Sequence, residues 1–153
     1  MLDVTLHDTV DSIPRLDLLL ELVRAQLPDR GPRGSAAEIR SSLARALRPG
    51  NRAGLLVLSR QDTGEPVGFA FFNVSTGLES GGDYLWLNEL HVAGKLRGQG
   101  AGRRMIEFLE DWSRRNGIKA IYGVCGLKNA AARSFYRRLG FSTEEACWLS
   151  KSL

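Results

Sequence analysis

Hydrophobic and polar positions change period several times along the chain, and each change marks an element. Leu2 to His7 alternate, with Leu2, Val4 and Leu6 on one side, which predicts a half-buried strand. Leu16, Leu19, Leu20, Val23 and Leu27 then recur at spacings of three and four, a helical stripe that Asp11 or Ser12 could cap with Pro14 in its first turn. Pro28 to Ser35 is a turn-rich break. Ser35 and Glu38 fit a capping box, which opens a second helix through Ile39, Leu43 and Leu47 that stops at Pro49-Gly50-Asn51. Gly54–Ser59, Val67–Val74 and Asp83–Val92 read as three strands, joined by a turn at Thr63-Gly64-Glu65 and a Gly-rich loop over Gly77–Gly82.

Beyond the third of these strands come glycines, then Met105, Ile106, Leu109 and Trp112 at helical spacing, ended by Asn116-Gly117. Ile118–Cys125 predicts another strand and Asn129–Leu139 another helix, closed by Gly140; Phe141–Leu149 offers one or two last strands. The order β-α-α-β-β-β-α-β-α-β-β implies an α+β (mixed α/β) chain. Its mixed central sheet would have about six to seven strands, with helices on both faces. On Asp83–Val92, plain alternation puts Leu87, Glu89 and His91 on one side and Asn88, Leu90 and Val92 on the other.

A length of 153 residues suits one domain, 1–153, with a proper core. Hydrophobic residues at 43% and charged residues at 25% are those of a soluble globular chain. No run approaches eighteen apolar residues and the first residues lack the regions of a secretory signal, so no membrane partner and a cytoplasmic location are expected. Net charge of +4 suits an anionic ligand, and the absence of a basic run interleaved with aromatics argues against nucleic acid as the main partner. Cys125 and Cys147 lack C-x-x-C spacing and the two histidines lie far apart, so no metal site is expected; both thiols read as small, partly buried apolar residues.

The candidate chemistry centres on Asn88–Arg104, N-E-L-H-V-A-G-K-L-R-G-Q-G-A-G-R-R. A strand, a Gly-rich turn and a helix start together offer close backbone approach, unpaired N–H groups and a positive dipole end to a phosphate. The spacing is neither a dinucleotide fingerprint, since Arg103 stands where a third glycine would be, nor a Walker A loop. What stands there is R-x-x-G-x-G, as Arg97, Gly100 and Gly102. That pattern at a strand-to-helix junction resembles the acyl-CoA signature of the GNAT superfamily of N-acyltransferases. Downstream, Asn129–Phe141, N-A-A-A-R-S-F-Y-R-R-L-G-F, resembles the family's later motif N-x-x-A-x-x-F-Y-x-x-x-G-F. The resemblance covers residues 54 to 145 well and the first fifty poorly.

The resemblance implies a single GNAT-like domain whose central parallel strands splay apart around the pantetheine arm of acetyl-CoA. The co-substrate's pyrophosphate would meet the N–H groups of Gly98, Gln99, Gly100, Ala101, Gly102 and Arg103, with Arg97 adding charge. Leu90, His91 and Val92 would lend main-chain groups, and Asn129, Arg133 and Tyr136 would line the rest. Asn129 could equally cap its helix, and Arg133 could equally be a solvated charge.

Acyl transfer to an amine needs a neutral nitrogen, donors for the oxyanion and a proton for the departing thiolate. Tyr136, the tyrosine of the F-Y pair, is the expected proton donor. Glu89 is the expected base, although the family's acidic residue often falls one position earlier, where this chain has Asn88; His91 is the alternative. The expected function is an acetyl-CoA-dependent N-acetyltransferase acting by direct attack in a ternary complex. Its acceptor would be a small-molecule or peptide amine, and a homodimer is kept open. The competing readings are an acyltransferase with another acyl-CoA donor and a non-catalytic acyl-CoA-binding module. Asp29, Arg30, Arg33, Arg24, Glu38 and Arg40 fall in the region where the family builds its acceptor site.

Overall fold

The computed structural model describes residues 1–26 and 34–153, so Leu27 and the predicted break from Pro28, with Asp29, Arg30 and Arg33, lie outside the described residues. The chain divides into two compact units, Met1–Gly123 and Val124–Leu153.

In the first unit, β1 (Leu2–His7), α1 (Leu16–Gln26), α2 (Ala36–Ala46), β2 (Ala53–Arg60), β3 (Pro66–Gly77), β4 (Gly82–Val92), α3 (Ala101–Arg115) and β5 (Ala120–Gly123) follow one another, with short 3-10 turns at Val10–Ser12 and Gly94–Leu96. The five strands lie in the order β1-β2-β3-β4-β5. The first three pairings are antiparallel, and β4 with β5 is parallel, as a strand–helix–strand crossover through α3 requires.

Alternation along β2 and β3 sorts the core into two layers. Leu55, Val57 and Phe69 are buried with Leu19, Leu20, Val23, Leu43 and Leu47, so α1 and α2 cover one face. Leu56, Leu58 and Phe72 point the other way, where Met105, Ile106 and Leu109 of α3 are fully buried and the Phe72 and Trp112 rings meet at 5.1 Å. Each layer removes large aliphatic side chains from water, at about 1.5–3 kcal/mol apiece. The expected helices on both faces are present in this unit.

Several elements differ from the sequence expectation. Neither Asp11 nor Ser12 caps α1. Val10–Ser12 forms its own 3-10 turn, and α1 starts after Arg15, which takes the left-handed conformation at φ 53° and donates to the Thr63 carbonyl at 3.1 Å. The capping box of α2 does form: Glu38 N–H donates to Ser35 Oγ at 3.2 Å and Ser35 N–H to Glu38 Oε2 at 2.6 Å. The bond from the Ser35 backbone N–H first, and the Ser35 hydroxyl after it, hold the Glu38 carboxyl below its ordinary pKa.

The second unit holds α4 (Ala130–Arg138), closed by Gly140 at φ 86°. Phe141–Leu149 forms no strand, so among the described residues the sheet has five strands, not six to seven, and the order ends at α4. The physical reason lies in the pattern F-S-T-E-E-A-C-W-L. The adjacent Glu144 and Glu145 put a charge on each alternate set, so neither face is apolar. Trp148 and Leu149 are exposed, and so are both free cysteines, Cys125 and Cys147, which were expected part-buried.

Among the described residues, His7 at the end of β1 and Ser113 of α3 are the buried polar side chains that keep an atom without a partner. Ser12 Oγ donates to the Thr9 carbonyl at 2.8 Å, so His7 Nδ1, 3.0 Å from that oxygen, must be the donor to it. Nε2 is then a bare acceptor, and it is buried without a partner. Burial is the main cause that lowers the His7 pKa from its ordinary 6.5, against weaker raising effects from Ser12 and Asp8.

Two outcomes follow. The unfolded chain takes up a proton on His7 at higher pH than the folded chain does. The stability from neutral His7 is therefore full above its ordinary 6.5 and is lost as pH falls from there toward the lower folded value. Denaturation midpoints from pH 8 to 5 should fall less steeply for His7→Gln than for the parent. Separately, a Cβ added at Gly54 would lie 2.5 Å from the Phe72 ring, which is 1% exposed and has nowhere to turn. Gly54→Ala should cost about 1–3 kcal/mol in urea unfolding. Unchanged stability would show that this layer has slack.

Candidate active site

The site is built where β4 outruns β5. The parallel ladder stops at Leu87 opposite Gly123, so among the described residues Asn88–Val92 is paired on the β3 side alone. Ala93 N–H donates to the Val67 carbonyl at 2.8 Å. Alternation then aims His91's main chain at β3 and those of Leu90 and Val92 at the unpaired side. A Cβ on Gly68 would lie 2.8 Å from His91 O, which places that carbonyl against β3. Of the three main chains expected to serve a ligand, Leu90 and Val92 face the open edge and His91 does not.

The register carries a correction. Phe71 pairs with Glu89, but Phe72 pairs with Leu87, so Asn88 is an extra residue, a β-bulge. Leu87 joins Phe72 on the α3 face while Glu89 and His91 sit opposite Phe71 and Phe69 on the α1–α2 face. The expectation that Leu87, Glu89 and His91 share a side fails because strict alternation cannot pass through a bulge. Asn88 is exposed and donates to Asn73 Oδ1 at 2.7 Å. No pattern of types in the sequence signals this extra residue.

Glu89 and His91 are brought together: His91 Nε2 lies 2.9 Å from Glu89 Oε2. Both are part-buried, and the His91 ring is tilted 35° on Phe69 with centroids 5.0 Å apart.

After β4 the chain turns through Gly94–Leu96 into the glycines. Gly98 (φ 75°) and Gly100 (φ 81°) are left-handed, and a Cβ built on either would meet nothing within 4 Å. These glycines serve the backbone path, not close packing, and the space beside them is open. Gly100 caps α3, and its carbonyl accepts from Arg104 N–H at 3.0 Å. The N–H groups of the first turn ahead of it have no helical acceptor. No acidic residue lies in that turn, and Ala101 is buried beneath it. Such a turn fits a polyphosphate by dipole, donors and space together.

The side chains beside the turn have partners within the chain. Arg97 Nε donates to the Val92 carbonyl at 3.0 Å and its NH2 group to Gln26 Oε1 at 3.2 Å, a brace from the end of β4 to the end of α1. Arg103 lies 3.5 Å from Glu107 along α3, and Gln99 Nε2 donates to the Lys95 carbonyl at 2.7 Å. The brace through Gln26 had no signal in the sequence.

In the second unit, Asn129 is the cap of α4: its Oδ1 accepts from Ala132 N–H at 3.0 Å. Arg133 donates to the Leu127 carbonyl at 3.1 Å, which ties the preceding loop to the helix. Tyr136 is part-buried with its ring edge-on to Phe135 at 5.1 Å and to Phe141 at 5.3 Å. Among the described residues no helix is long and apolar enough to cross a membrane, and no group of three or more His, Cys, Asp or Glu is placed to hold a metal.

Among the described residues, a five-stranded mixed sheet whose parallel pair is joined through a Gly-turned helix start makes this an α+β fold. The chain matches the acetyltransferase (GNAT) family over residues 16–141 and belongs to that family. It is 26% identical over 87 residues to the D-amino-acid N-acetyltransferase HPA3 of Saccharomyces cerevisiae, a match covering 57% of this chain and 54% of that protein. The chain thus spans about half the length of the curated relatives it matches. Among solved structures, a probable acetyltransferase superposes with a TM-score of 0.83 at 19% identity, covering 98% of each chain. The enzyme AAC(6')-Iy, in complex with a bisubstrate analog, CoA-S-monomethyl-acetylneamine, superposes at 0.76 and 15% identity, covering 100% of this chain and 99% of the other. At such identities the superpositions show a shared fold.

Proposed function

We propose that this chain, as one acetyltransferase domain, transfers an acetyl group from acetyl-CoA to a primary amine by direct attack in a ternary complex. The observation that carries the reading is the Gly98–Arg103 turn. Left-handed glycines with open space beside them lead into a helix start free of acidic residues, in a chain of the GNAT family. The donor supplies a thioester carbonyl; the chain supplies everything that holds and protonates. The N–H groups of Gly98 to Arg103 hold the pyrophosphate, with Arg97 keeping the turn in place from below. Main-chain groups of Leu90 and Val92 orient the pantetheine arm. Asn129 and Arg133 order the start of α4, and Tyr136 gives a proton to the departing sulfur. The Glu89–His91 pair takes the proton that the amine must lose. An acceptor panel is headed by D-amino acids, after the yeast relative, and by an aminoglycoside, after a solved aminoglycoside acetyltransferase from a soil metagenomic sample that shares the fold.

Thiol release from acetyl-CoA with that panel tests the reading as a whole. A chain that binds coenzyme A and turns over with no amine would be a binding module instead.

Gly100→Glu should abolish coenzyme A binding in calorimetry, because a carboxylate would enter the phosphate space and a side chain would strain a left-handed position. A folded variant with the parent's affinity would move the donor elsewhere.

Tyr136→Phe keeps the ring and its contacts with Phe135 and Phe141. Loss of one general acid should lower kcat by about 10²- to 10⁴-fold, roughly 3 to 5 kcal/mol of barrier, with donor affinity little changed. A more acidic thiol leaving group should partly restore the rate. Parent-like single-turnover rates would leave Tyr136 a packing residue.

A further inference from the structure

Glu89 and His91 are not equivalent in their pair, and the geometry decides which of them can take a proton. A carboxylate only accepts, so the 2.9 Å contact from Glu89 Oε2 to His91 Nε2 puts the hydrogen of the neutral ring on Nε2. That leaves the lone pair on Nδ1. Phe69 under the ring fixes its plane, and Glu89 fixes its rotation. When Nδ1 gains a proton, the same contact becomes a charge-assisted hydrogen bond, stronger than before. An imidazole is also a stronger base than a carboxylate by about two pKa units.

Resting on the N-acetyltransferase reading above, we infer that His91 Nδ1 is the base of the transfer and that Glu89 is a positioning residue. An ammonium acceptor gives one N–H proton to Nδ1. Its freed lone pair then forms the N–C bond to the acyl carbon as the C–S bond breaks. Sulfur leaves with the electron pair and takes one proton, the nitrogen sheds a second, and one proton net passes from His91 to solvent. The bulge at Asn88 turns Glu89 and His91 together onto the α1–α2 face and away from the α3 layer.

Among the described residues, Glu89 and His91 pair with each other alone. Across β3 it faces Phe69 and Phe71, which do not titrate. On the helices covering that face, Asp17, Glu21 and Arg24 of α1 and Glu38, Arg40 and Arg45 of α2 are all exposed. Arg97 lies beyond the end of the strand on the Val92 carbonyl.

The test has two arms. The chain has two histidines, so nitrogen-15 NMR of the imidazoles in the free protein above neutral pH can assign both tautomers. His91 should carry its hydrogen on Nε2 and His7 on Nδ1, and Glu89→Ala should abolish the preference at His91 alone. A His91 ring with its hydrogen on Nδ1 overturns the inference. The second arm is kcat/KM against pH with acetyl-CoA and the amine of highest turnover in the panel above. The acidic limb should persist in Glu89→Gln and vanish in His91→Asn, which should also lose about 10²- to 10⁴-fold, with unchanged coenzyme A affinity reporting that both variants fold. A limb that vanishes in Glu89→Gln and persists in His91→Asn makes Glu89 the base and overturns this inference alone. No turnover with any amine would instead remove the acetyltransferase reading on which it rests.

Discussion

The pairing of β3 with β4, with its one extra residue at Asn88, is the constraint on which the rest of the site depends. A strand has period two, so adding one residue exchanges the faces of everything beyond it. Before the bulge, Leu85 and Leu87 are buried on the α3 side and complete that layer of the core. Without it, the next residue on the α3 side would be Glu89, a carboxylate turned into an apolar layer at a cost of several kcal/mol. With it, Leu90 and Val92 continue that face while Glu89 and His91 meet on the other. One inserted residue therefore serves the core and the chemistry together.

The same economy appears at the end of β4. Because β5 is short, the parallel ladder ends at Leu87, and Leu90 and Val92 are left with main-chain groups that no described strand uses. Buried backbone groups require partners. Arg97 supplies one to the Val92 carbonyl and reaches Gln26 at the end of α1 with the same guanidinium. The proposed donor turn is thus tied to the end of α1. The left-handed Gly98 and Gly100 complete the turn at positions where a side chain would be strained and where nothing else competes for the space.

Much of this was legible in the sequence. The stripes of α1, α2 and α3 are governed by burial, which the period of three to four reports directly, and all three helices form with Leu19, Leu20, Val23, Leu43, Met105, Ile106 and Leu109 buried. The two motifs announced the family, and Asn129 announced the cap of α4. What remained hidden depends on contacts distant in the chain. The Asn88 bulge is set by a partner strand, the Arg97 brace by Gln26, and the 3-10 turn before α1 by the His7–Ser12–Thr9 relay. The last strands were read from apolar residues in Phe141–Leu149, where the charge at Glu144 and Glu145 outweighs them.

The central claim is that the turn from β4 into α3 binds the phosphates of an acyl-CoA. Amide NMR during titration with coenzyme A tests it most directly, because it reads each N–H separately and needs no acceptor. The account predicts that the largest shifts fall on Gly98 to Arg103 and weaken as salt is raised. Saturable shifts that leave those amides unmoved and cluster on another element would contradict it.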